Sequence, residues 1–166
     1  MVTGVQTCAL PIFQYRTRKI DKEKKKSYTV KTFVVSPYGL VWKNDNYYLI
    51  CNKESHDNLM SMRLDRIRNI IVLQIPSRPV WECCDYKDGF DIADYTSKMF
   101  NMFGGDVMPV TFVCNLDLRE QILDRFGEKI KLDGVDVNHF RTTVDVAVSD
   151  GLVSWIMQFG DQIKVE

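Results

Sequence analysis

The stretch VSPYGLVWKNDNYYLICNKESHDNLMSMRLDRI, residues 35–67, decides the fold class of this chain. Its apolar residues come in short runs rich in β-branched and aromatic side chains, divided by turn-forming residues. Ser36-Pro37-Tyr38-Gly39 reads as a turn, and Asn44-Asp45-Asn46 as a tight one. Tyr47 to Lys53 reads as a strand closed by His56-Asp57-Asn58. Leu59 to Leu73 alternates and predicts one further strand, with Ile70 to Leu73 as its buried end.

Upstream, Phe13 to Ile20 alternates at strand period, and the charged DKEKKKS that follows is expected to form a hairpin tip. Short strands at this spacing predict a small β-barrel rather than a parallel sheet. Residues 2–12, VTGVQTCALPI, carry no charge and no period that runs on into Phe13. They read as a translated sequencing adapter, so residues 1–12 are set outside the fold as an artefact. The barrel is expected over residues 13–76.

Two prolines at Pro76 and Pro79 break the pattern. Residues 77–105 are expected to link, with a helix whose apolar face holds Ile92, Tyr95, Met99 and Phe103, capped by Asp91 and stopped at Gly104-Gly105. From residue 106 to residue 166 the order is strand, helix, strand, strand, helix, strand. Asp117 is a candidate cap for the first helix, with Leu118, Ile122, Leu123 and Phe126 as its stripe and Gly127 as its stop. Lys129 to Val137 reads as a strand interrupted at Asp133-Gly134, and Ser149 or Asp150 caps the second helix. This βαββαβ order predicts a ferredoxin-like domain, its last strand cut short at Glu166. The fold class is therefore α+β, a β-barrel followed by a ferredoxin-like domain.

The formal net charge of zero hides an asymmetry. Residues 13–80 hold 14 Lys and Arg against 6 Asp and Glu, whereas residues 81–166 hold 8 against 16. A basic half attracts anions, although the lysine-rich loop supplies much of the excess and also reads as a simple solvated tip. Five cysteines without a CxxC pair point to a reducing, cytoplasmic setting. The two histidines, His56 and His139, lie far apart and both read as exposed, so no metal site is expected. Asp124 and Arg125 read as a surface pair. Neither a P-loop nor a GxSxG or HExxH motif occurs, no cofactor is implied, and no enzyme is expected. No apolar run is long enough to span a membrane.

Residues 35–67 resemble the core of the WYL domain. The signature Trp-Tyr-Leu is matched by Tyr47-Tyr48-Leu49, Pro-x-x-Leu by Pro37-Tyr38-Gly39-Leu40, and Arg-x-Asp-Arg-Ile by Arg63-Leu64-Asp65-Arg66-Ile67. Phe13-Gln14-Tyr15 matches the opening strand. MFNMFGGD (99–106), ILDRFG (122–127) and GLVSWIMQFGDQIKVE (151–166) resemble the extension that follows WYL domains in bacterial regulators. One departure is that Met60-Ser61-Met62 stands where the family often carries a basic residue. The resemblance implies an Sm-like, SH3-type barrel that senses an anionic small molecule or single-stranded nucleic acid. It also implies a DNA-reading helix-turn-helix domain upstream, here missing; a homodimer is expected because symmetric dimers are the common outcome for such domains.

Tyr48 is the first candidate ligand contact, since Tyr47 and Tyr48 face opposite sides of a strand and one ring can stack on a flat ligand. Arg63 and Arg66 are candidates because a guanidinium grips phosphate or carboxylate through two bonds; Asp65 offers a structural ion pair instead. Tyr15 and Ser36 follow from matching family positions, and Ser36 reads equally as a turn-former. A module that only oligomerises is the alternative.

Overall fold

In the computed structural model, residues 9–20, 26–84, 86 and 89–166 are described. The chain divides into two units, Met1–Ile92 and Ala93–Glu166. The division falls inside the expected linker. The protein is mixed α+β, its sheets antiparallel.

In the first unit, β1 (Ala9–Ile20) and β2 (Lys26–Val34) form a long antiparallel hairpin. The expected tip residues 21–25 lie outside the described residues. β3 (Ser36–Lys43) turns into β4 (Asn46–Asn52), which pairs with β5 (Leu59–Arg63). Asn44 and Asp45 both have positive φ, the backbone that a two-residue hairpin turn demands. A single 3-10 turn, Leu64–Arg66, then carries the chain into β6 (Ile67–Pro76), which joins the other sheet beside β1. The two sheets, β2-β1-β6 and β3-β4-β5, enclose Phe13, Val35, Leu49, Cys51, Met62 and Ile67. Burying a side chain of this kind contributes about 1.5–3 kcal/mol.

Several expectations change here. Residues 9–12 were set outside the fold, yet they open β1, where Pro11 and Ile12 lie across from Val72 and Ile71. Residues 1–8 of that segment lie outside the described residues. Ser36-Pro37-Tyr38-Gly39 is not a turn. It lies within β3, with an irregularity between Pro37 and Gly39, and β3 is an edge strand, where proline is tolerated. Leu59 to Leu73 is not one strand, because the 3-10 turn divides it. Ile70, Ile71 and Val72 are not buried but more than 60% exposed (61%, 63% and 65%). Asn69, at φ 53°, bends the strand just before them, and its amide donates to Gln14 Oε1 at 2.8 Å.

α1 (Ile92–Ser97) is shorter than its apolar spacing suggests and stops well before Gly104-Gly105. Asn101 and Met102 take positive φ, which no helix can continue through. Met99 is buried, but Phe103 is 51% exposed rather than on the buried face.

The second unit holds β7 (Val107–Asn115), α2 (Arg119–Phe126), β8 (Asp133–Gly134), β9 (His139–Ala147), α3 (Asp150–Met157) and β10 (Ile163–Val165). The sheet order is β10-β7-β9-β8. Its core gathers Val110, Phe112 and Cys114 of β7 with Phe140 and Val146 of β9, against Ile122 and Leu152 of the helices. Asn115, not Asp117, caps the turn into α2, accepting the Asp117 N–H at 3.0 Å. Gly127, at φ 91°, ends α2, and its N–H returns to the Leu123 carbonyl. Ser149 caps α3. β8 keeps only the two residues at the expected interruption, paired with Arg141 and Phe140.

Arg125 is not half of an exposed pair with Asp124. It donates to the carbonyls of Ser97 (2.9 Å) and Met99 (3.0 Å), and its guanidinium lies 4.1 Å from the centre of the Phe100 ring. Burial pushes its pKa downward. His139 is half-buried rather than open, its Nδ1 2.9 Å from Asp136 Oδ1.

Candidate functional site

A β-hairpin presents alternate residues to its two faces. On β1, Arg16 and Arg18 share one face, while Tyr15, Thr17 and Lys19 share the other. The β1–β2 register sets Tyr28 across from Arg18, and Thr29 and Lys31 across from Thr17 and Tyr15. Each face opens onto a cavity.

The first cavity, of about 140 Å³, is lined by Arg16, Arg18, Tyr28, Arg63, Asp65, Arg66 and Arg68. Five arginines thus surround one carboxylate, a formal balance of +4. Arg16 lies over the Tyr28 ring, 3.5 Å from its centre, a cation–π contact that holds the guanidinium plane. Arg68 donates to the carbonyls of Asp65 (2.9 Å) and Ile67 (2.7 Å). Arg63 forms a two-pronged bond with Asp65, Nε to Oδ1 at 3.0 Å and Nη2 to Oδ2 at 2.9 Å. That bond lowers the Asp65 pKa and raises that of Arg63. Arg66 makes no hydrogen bond or ion pair among the described residues. The wall therefore has one arginine occupied by a carboxylate, one by carbonyls, and others with free donors, an arrangement suited to a multivalent anion.

The second cavity, of about 360 Å³, is lined by Tyr15, Thr17, Lys19, Thr29, Lys31, Phe33, Met60, Ser61 and Met62. Its apolar floor continues the core of the first unit, since Phe33, Met60 and Tyr15 pack against that core. Tyr15 meets Phe33 edge-on at 6.0 Å.

The structure distributes the sequence candidates unevenly. Arg63 and Arg66 share the arginine cavity. Tyr48 is half-buried and lies directly across from Arg63 in the β4–β5 ladder, whereas Tyr47 is 55% exposed and packs on Trp42 at 4.6 Å. Tyr15 lines the larger cavity, and its hydroxyl accepts the Arg63 backbone N–H at 3.2 Å. Ser36 lines neither; it is buried, and its Oγ accepts the Arg78 N–H at 2.8 Å. Beside it the Tyr38 hydroxyl donates to the Arg78 carbonyl at 2.9 Å, and burial pushes its pKa upward. This cluster ties β3 to the segment after β6. Arg16, Arg18, Tyr28 and Arg68 were not foreseen. The Arg16-x-Arg18 and Arg66-x-Arg68 spacings were the available signal, since alternation puts such pairs on one face.

Among the described residues no group of His, Cys, Asp and Glu could hold a metal ion, and no helix is long and apolar enough to cross a membrane.

Residues 12–72 match the family model described as WYL domain. No curated protein matches the chain. Among solved structures, Proteasome accessory factor B/C (PafBC) of Arthrobacter aurescens is 20% identical, covering 96% of this chain, with a TM-score of 0.39. This chain spans 22% of the length of that protein, and so distant a likeness bears on neither fold nor function.

Proposed function

We propose that the first unit, whose residues 12–72 match the WYL domain model, is the effector-sensing part of a WYL-type transcriptional regulator, binding an anionic small molecule or single-stranded nucleic acid. The observation that carries this reading is the cavity where five arginines face one carboxylate beside Tyr28. Arg66, Arg16 and Arg18 supply donors to phosphate or carboxylate oxygens. Tyr28, 46% exposed, offers a ring on which a base can stack, and Tyr48 sits beside Arg63. Asp65 keeps Arg63 in place until an anion competes for its fork.

In this reading the first unit is an Sm-like, SH3-type barrel, supported by the 3-10 turn that passes the chain from one three-stranded sheet to the other. The second unit is ferredoxin-like, supported by its β10-β7-β9-β8 order with every neighbour antiparallel. The module is not an enzyme. It works in the cytoplasm, a setting that the free thiols of Cys51, Cys83, Cys84 and Cys114 suit. A DNA-reading domain elsewhere in the full regulator responds to it. That response is bounded by the difference in ligand affinity between the two states.

The test is a thermal-shift and anisotropy titration of the whole chain with nucleotides and a short single-stranded DNA. Binding is expected, with loss in an Arg63→Ala, Arg66→Ala double variant. Unchanged melting and anisotropy with every anion would overturn the reading.

A second reading, an oligomerisation module without a ligand, draws on β6. Ile70, Ile71, Val72 and Ile75 are each at least half exposed on a strand that pairs only with β1 among the described strands. An apolar edge of this kind invites pairing with a second copy. Light scattering decides it. A homodimer broken by Ile71→Glu, with no anion response, would favour it.

A further inference from the structure

The larger cavity lies on the opposite face of the β1–β2 hairpin from the arginines, and its chemistry differs. Its floor is Phe33, Met60 and Met62, a continuation of the hydrophobic core out to solvent. Among the described residues its rim carries Lys19 and Lys31 and no carboxylate. At about 360 Å³ it falls within the usual size of small-molecule sites, which favour the mouths of β-barrels. We infer that this cavity is a second binding site, for an amphipathic carboxylate: an aliphatic or aromatic body with one acidic head.

Three physical features select that class. The aromatic face of Phe33 and the thioethers of Met60 and Met62 reward an apolar body, and methionine adapts its shape to what it meets. Lysine ammonium groups are compact point charges that meet a carboxylate without demanding the two-pronged geometry of arginine. With no acid among the described lining residues that positive charge is unbalanced there, so a cation is repelled and a neutral apolar molecule lacks the head-group contact. The arginine cavity, at about 140 Å³ and lined by seven polar or charged-edge side chains, offers no comparable apolar floor. Met60-Ser61-Met62 contributes that floor.

The experiment is an NMR titration of the full chain, carrying labelled methionine methyls, with octanoate, with octan-1-ol and with inorganic phosphate. Octanoate is expected to shift the Met60 and Met62 methyls saturably, octan-1-ol to bind more weakly, and phosphate to leave those methyls unmoved. Replacing both exposed rim lysines (Lys19→Gln, Lys31→Gln) is expected to weaken octanoate by about tenfold, near the upper range for two partly solvated ion pairs. Thr17→Trp, which fills the cavity from an exposed strand position, is expected to abolish it. Absence of saturable methyl shifts would overturn the inference. So would equal affinity for the alcohol, or octanoate binding that Thr17→Trp leaves intact. Single-stranded DNA titrated into the same samples reports on the arginine cavity independently. Loss of one response with retention of the other shows which of the two readings has failed.

Discussion

Arg63 holds Asp65 through both prongs of its guanidinium, at 3.0 and 2.9 Å, at the 3-10 turn where the chain passes from one sheet to the other. The pair stands at the wall of the arginine cavity, with side chains 30% and 54% exposed. Under the proposed function Asp65 would act as an internal competitor for a bound anion.

Removing that competitor is expected to strengthen anion binding. Asp65→Asn is expected to tighten a nucleotide or single-stranded DNA several-fold while costing at most about 1 kcal/mol of stability, because the pair is solvated. The Arg63 bond depresses the Asp65 pKa. A carboxyl with a folded pKa below its unfolded one stabilises the fold above the ordinary carboxylate range, about 3.9, and loses that contribution as pH falls toward the depressed value. Acid titrations of wild type and Asp65→Asn should therefore converge at low pH. A difference that persists there would contradict this account.

Anion binding through several guanidinium groups must weaken with salt. For single-stranded DNA, each phosphate contact contributes about −0.7 to the slope of log K against log salt. Arg66→Ala and Arg16→Ala should each reduce the slope by roughly one contact's worth. Anisotropy titrations between low and moderate salt read this directly. A slope insensitive to both substitutions would place binding elsewhere.

In the second unit, Arg125 is expected to matter for stability and not for ligands. Its two bonds to the Ser97 and Met99 carbonyls and its stacking on Phe100 fasten α2 to the segment after α1. Arg125→Ala should cost about 2–3 kcal/mol, read by denaturant unfolding, with affinity for DNA unaltered. A change below about 0.5 kcal/mol would mean these contacts add nothing.

Burial pushes the Cys51 thiol up to about 12 and the Cys114 thiol up to about 11. Both should resist thiol reagents at neutral pH in the folded protein and react on unfolding. The unfolded chain ionises its thiols from about pH 8.5. Their neutral burial therefore stabilises fully below that pH, and stability falls progressively as pH rises toward the folded values. Cys51→Ala, Cys114→Ala double substitution should flatten the alkaline limb of a stability profile. An unchanged limb would contradict the assignment.

Much of the architecture was legible because period carries it. Alternation gave β1 and β9, a β-rich run closed by a turn gave β4, and Gly127 and Ser149 mark the ends of helices where the sequence places them. Period could not see Asn69, whose left-handed backbone lies just before the exposed Ile70, Ile71 and Val72, nor the positive φ of Asn101 and Met102, which keeps the helix from running on to Gly104. Those conformations depend on neighbours distant in sequence, as with the Gln14 bond to Asn69. Arg63 and Arg66 could be named from a motif. Their companions Arg16, Arg18 and Tyr28 come from a hairpin some 35 to 50 residues upstream, and only strand pairing across the sheet places them there. Arg125 misled because a charged residue near a helix end ordinarily faces water.

The Tyr15 hydroxyl, receiving the Arg63 N–H at 3.2 Å, joins the back wall of one cavity to the backbone of the other. If both cavities bind as proposed, a ligand that tilts the Tyr15 ring would act on the strand end that carries the Arg63 fork. Thermodynamic reciprocity would then make the conversation symmetric: the factor by which an oily acid altered nucleotide affinity would equal the factor by which the nucleotide altered the acid's. A tyrosine oxygen, removable as Tyr15→Phe, would set the gain of a two-input sensor built from the two sides of a single ribbon.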